Sequence, residues 1–116
     1  MYVAYVVVTA ITITATDAIA VGDLRGAKFV VANSAEVGVP TSWIPILAAL
    51  KAAGAAGLLA GLFGIRFLGI LAATGLTLFF TGALIAHLCA RVLHNIYYPG
   101  AFWLLAIASL ALALAT

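Results

Sequence analysis

Three side chains able to carry charge or move protons lie inside long apolar stretches of this sequence: Asp17, Lys51 and His87. A carboxyl, an amine and an imidazole brought together away from water would form a site for acid/base chemistry. Asp17 would serve as acid or base, Lys51 as its counter-charge or as an electrophile, and His87 as a second proton carrier. Thr16, beside the carboxyl, and Arg91, one helical turn beyond His87, extend the set of candidate ligand contacts. Each charged side chain near the centre of a membrane helix costs about 2.5–3.5 kcal/mol on insertion scales, so such residues are expected to face the interior and to find partners. Desolvation and pairing pull the acidity of such a carboxyl in opposite directions, and their balance decides whether it can act as an acid.

His87, Arg91 and His94 fall at i, i+4 and i+7 and would share one helix stripe. Two histidines with no carboxylate on the same helix make a poor metal site, so no metal is assigned. Cys89 is the only cysteine, which excludes an intramolecular disulfide, a CxxC redox pair and a thiolate cage. It reads as a small apolar packing residue.

The elements that position these groups follow from composition. The 116 residues are 67% hydrophobic and 7% charged, with mean hydropathy +1.32. A water-facing surface needs about 25% charge, so lipid is the expected solvent. A net charge of +2, scattered along the chain, leaves no footprint for nucleic acid. A span needs roughly 20 apolar residues, and four such runs occur, at residues 2–21, 43–63, 67–91 and 98–116. The expected fold is all-α, a single transmembrane domain over 1–116 built as a four-helix bundle. The first run has an Ala18-Ile19-Ala20 sequence like a signal cleavage site. It lacks a cationic leader and carries Asp17, so it is read as a span.

The stretch "GDLRGAKFVVANSAEVGVPTS" holds Asp23, Arg25, Lys28 and Glu36 and reads as the longest loop. A short surface helix is expected there around Ala27–Glu36, ended by Gly38 in a left-handed turn, with Pro40 preventing a restart. "LFGIRF" and "HNIYYPG" make the other turns, and Tyr97, Tyr98, Trp103 and Trp43 form an aromatic belt. Arg25, Lys28 and Arg91 outnumber Arg66 on the opposite side, which places the first side in the cytoplasm. The end of span one, the start of span two and the end of span three all meet at that face. Lys51 is therefore expected to pair with Asp17 in a polar pocket that also holds His87.

Gly54, Gly57 and Gly61 on span two, and Gly69, Gly75 and Gly82 on span three, suit close helix packing within the chain or, alternatively, a homodimer seam. Thr9, Thr12, Thr14 and Thr16 are expected to bond to their own backbone or to a neighbour.

Two stretches, "VGVPTSWIPILAALKAAGAAGLLAGL" and "TGALIAHLCAR", resemble the DoxX-like family of small bacterial membrane proteins. The family pattern has a loop ending in Gly-x-Pro, a helix with a polar residue ahead of spaced glycines, and a third helix closing in a histidine and a basic residue. Gly38, Pro40, Lys51, Gly54, Gly57, His87 and Arg91 stand at those positions. Family members often carry an acidic residue soon after the third helix; Val92 to Asn95 supplies none. The resemblance implies a four-helix protein of the bacterial plasma membrane. It also implies an association with quinone-dependent or other membrane oxidoreductase systems. Three functions follow as expectations, with the cofactor left open. The first is a small subunit or binding protein with an intramembrane pocket for an apolar molecule or quinone, with a membrane protein as partner. The second is an enzyme using acid/base chemistry on an apolar molecule, and the third a small proton-coupled exporter.

Overall fold

The computed structural model describes residues 2–26, 35, 38–94 and 96–116. Among the described residues four long helices carry the chain: α1 Tyr2–Leu24, α2 Ile44–Leu62, α3 Arg66–Cys89 and α4 Tyr97–Ala115. A 3-10 turn, Thr41–Trp43, leads into α2. All four helices are long and apolar enough to cross a bilayer, and the longest dimension of the molecule is 39 Å. The protein is an all-α integral membrane four-helix bundle. Each helix packs on the next in the chain and α4 closes back on α1, an up-down-up-down arrangement. The surface helix expected over Ala27–Glu36 lies outside the described residues. Gly38 has the left-handed backbone expected of it, φ 77°.

Helix ends are set by local chemistry. At the tight α2–α3 turn, Gly64 takes φ 106°. Its N–H bonds the Gly61 carbonyl, and the Ile65 N–H bonds that of Ala60. This double closure satisfies carbonyls that the helix end would otherwise orphan. α3 stops by the same device, with Arg91 at φ 57° in the place usually held by glycine. Its N–H bonds Leu88 and the Val92 N–H bonds His87. Arg91 therefore lies off the helix and exposed, and the expected His87–Arg91–His94 stripe ends at its first member.

The apolar centre is Leu58, Ala73, Leu76, Phe80 and Ala106, with Phe79, Phe102 and Trp103 against it. Phe80 stacks on Phe102 at 5.2 Å between centroids. The α2–α3 contact is made by absent side chains. A Cβ on Gly61 would lie 2.6 Å from the Gly69 Cα, and one on Gly57 would lie 2.6 Å from the Ala72 Cβ. The glycines of α2 thus serve packing within the chain, whereas Gly75 and Gly82 of α3 meet nothing within 4 Å. Lipid supplies no hydrophobic drive, so this close approach is what dispersion needs.

Two polar bridges hold α4. Thr12 on α1 donates to the Val8 carbonyl at 2.8 Å and shares a 2.8 Å hydrogen bond with Ser109. Trp103 is no member of an interfacial belt. Its indole N–H donates to the Thr81 hydroxyl of α3 at 3.0 Å, and Thr81 in turn donates to the Thr77 carbonyl. The aromatic ring fills the α3–α4 groove, which outcompetes the interface for it. Trp103→Phe keeps most of that packing and removes the bond, so its expected cost is about 1 kcal/mol. Equilibrium unfolding in mixed micelles checks this, and a loss above about 3 kcal/mol would mean that the indole fills space a phenyl ring cannot.

Candidate functional site

The buried face of α1 repeats at helical spacing: Tyr5, Thr9, Thr12, Thr16, Ala20 and Asp23. The helix continues past the apolar run to Leu24, which brings Asp23 onto this face instead of into the loop. Asp17 falls one residue, about 100°, round from Thr16 and is exposed. The partner of Lys51 is accordingly Asp23 and not Asp17. Lys51 Nζ donates to Asp23 Oδ2 at 2.7 Å, and the two residues are 9% and 5% exposed. Lys51 starts about 10 Å inside α2 and Asp23 sits in the last turn of α1, so the lysine stem runs back toward the membrane face to reach its counter-charge. The ammonium also lies 5.5 Å from the centre of the Phe79 ring on α3, a cation–π contact. Tyr98, in the first turn of α4, is within electrostatic reach of Asp23.

The same end of the bundle buries His87, 3% exposed in the last turn of α3. Its Nδ1 lies 3.0 Å from the Ala83 carbonyl. A carbonyl only accepts, so Nδ1 carries the proton. In the neutral ring Nε2 then presents a bare lone pair, and this buried atom has no hydrogen-bond partner among the described residues. His87 lines a cavity of about 320 Å³ together with Trp43, Leu47, Leu50, Phe79 and Gly82. Trp43 and Leu50 are exposed, so the cavity opens on the outer surface of the bundle. Phe79 is common to both features, carrying the Lys51 ammonium and walling the cavity. A larger groove of about 580 Å³ along α2 and α3 has only apolar lining, from Leu50 to Phe79. It offers shape without a polar group to fix an orientation.

Of the five residues singled out from the sequence, the structure thus gathers Lys51 and His87 at one end of the bundle, linked through Phe79. Thr16 is buried on α1 and its hydroxyl, like that of Thr9, has no partner among the described residues. Thr12 and Thr14 make the expected bonds to the backbone. Asp17 and Arg91 point away from the cluster, one on the outer face of α1 and the other in the turn after α3. Cys89 is exposed, not packed. Sequence reasoning missed Asp23, Phe79 and Trp43. The first was legible in the spacing of the threonines, which extends through Ala20 to residue 23. Nothing in the sequence marked the two aromatic residues as cavity walls.

The sequence model of the DoxX-like family matches residues 7–109, most of the chain. Neither a curated protein nor a solved structure matches it.

Proposed function

The chain belongs to the DoxX-like family, and from that premise we propose that it is an intramembrane binding protein for a neutral, largely apolar molecule bearing one hydroxyl donor. The observation that carries this reading is His87, which lines an otherwise apolar and aromatic cavity and whose Nε2 is a buried acceptor without a partner among the described residues. Leaving such an atom unmet costs about 1–3 kcal/mol, a cost that a hydroxyl entering from the lipid would remove. Ring faces at Trp43 and Phe79 suit a flat head group. The Asp23–Lys51 pair then acts on the site indirectly, by holding α1, α2 and Phe79 in register. The role this fits is a small binding subunit of a redox or lipid-handling system in the bacterial plasma membrane, with hydroxyl-bearing apolar small molecules, the reduced quinol form of a quinone among them, as the ligand class.

The test uses the purified chain in lipid nanodiscs and two photoactivatable probes, a long-chain alkylphenol and its methyl ether. The phenol donates a hydrogen bond and the ether does not. One regained bond at a buried acceptor predicts that the phenol labels α2 and α3 at least about tenfold more strongly. His87→Leu should abolish that preference while leaving the melting temperature of the bundle within a few degrees. Equal labelling by phenol and ether, or a preference that survives His87→Leu, would end this reading.

A further inference from the structure

Asp17 is left over by the binding reading, and its position is harder to explain than that of Lys51. It lies near the middle of the membrane-spanning α1, about 6 Å from the helix midpoint and 10 Å from its end. An aspartate has no long stem with which to reach the surface. It is exposed on the outside of the bundle, with no hydrogen bond or ion pair among the described residues. In lipid this is the one environment a carboxyl is not expected to occupy. The face around it is also organised. Val3, Val7, Ala10, Thr14, Asp17 and Val21 are all exposed, and they repeat at alternating steps of four and three. That is the seam spacing of a helix with a second helix laid along it.

We propose that this outer face of α1 docks a transmembrane helix of another protein that presents a lysine or arginine to Asp17. Charge selects the occupant. A second copy of this chain packed about a two-fold axis would bring Asp17 toward Asp17, like against like. Among the described residues no spare cation lies at that depth: Lys51 is committed to Asp23, Arg25 and Arg91 lie beyond the ends of α1 and α3, and Arg66, first residue of α3 at the opposite end, bonds the Ala113 and Leu114 carbonyls. The complement is then supplied by a different membrane protein. The surface is separate from the His87 cavity, which lies between α2 and α3.

The test uses the full chain in proteoliposomes with membrane-spanning polyleucine peptides that carry one lysine, one glutamate or no charge at the depth of Asp17. Association is read by energy transfer from a donor dye on the protein to an acceptor on the peptide. The lysine peptide should associate at least tenfold more tightly than the other two. Asp17→Leu should remove that preference and Asp17→Glu should keep it, with thermal unfolding confirming that both variants fold. Association that is the same for all three peptides overturns the proposal, as does a lysine preference that survives Asp17→Leu. Transfer between two labelled copies of the protein that disappears in Asp17→Leu would assign the face to self-association instead. The phenol-labelling experiment above is insensitive to Asp17, so either reading can fail alone.

Discussion

Asp23→Leu and Lys51→Met, made singly, should each destabilise the bundle by about 3–5 kcal/mol, while the double variant Asp23→Leu/Lys51→Met should regain most of that loss. The asymmetry comes from what remains after each change. A 2.7 Å pair between residues this buried has already lost its hydration, so removing one member leaves the other charged and unmet. Removing both leaves apolar side chains in an apolar place. Unfolding of the four proteins in mixed micelles gives the coupling energy directly. Single-variant losses below about 1 kcal/mol would mean that water reaches the pair and that it behaves as a surface bridge. The reversed pair, Asp23→Lys with Lys51→Asp, should not restore stability. An aspartate at position 51 would sit a turn and more too deep, without the stem that lets Lys51 climb to the end of α1. Asp17→Asn is the matched control. It alters a carboxyl on the outer surface and should leave the stability of the isolated bundle within about 0.5 kcal/mol.

That control also marks how far the sequence could be read. The four helices are legible because an apolar run of span length in a chain with so little charge has only one solvent that suits it. The meeting of span one, span two and span three at one face is legible too, since alternating direction requires it. The choice between Asp17 and Asp23 turned on where α1 ends. Hydropathy drops at Gly22, but the backbone stays helical to Leu24 and closes with a bond from the Gly26 N–H to the Asp23 carbonyl. Three extra residues rotate Asp23 under the bundle. Helix ends are governed by such capping bonds and not by hydropathy, which is why hydropathy misplaced the counter-charge while finding the helix. The His87 cavity was less accessible still. It depends on which way Phe79 and Trp43 turn between two helices, and on Gly82 having no neighbour, and neither follows from spacing.

Small residues divide the bundle into a part that must touch and a part that must stay open, and substitution separates the two. Gly61→Ala should cost about 3 kcal/mol, at the upper end of the range for overpacking. The new Cβ would meet the Gly69 Cα at 2.6 Å, and backbone cannot rotate away as a side chain can. Gly54→Ala should cost less, because its nearest neighbour is the flexible end of Leu76. Gly82→Ala should be neutral or stabilising by up to about 1 kcal/mol, since alanine is the better helix former and nothing lies within 4 Å. Unfolding in mixed micelles orders the three, and a Gly61→Ala variant as stable as the parent would show that α2 and α3 do not cross on their glycines. Gly82→Leu then becomes informative about function. Its side chain would project into the space beside His87, so phenol labelling should fall at least about tenfold while the bundle unfolds as before. Room at Gly82 has no packing partner to explain it, and a cavity kept open beside an unmet imidazole nitrogen is what binding a guest from the membrane requires.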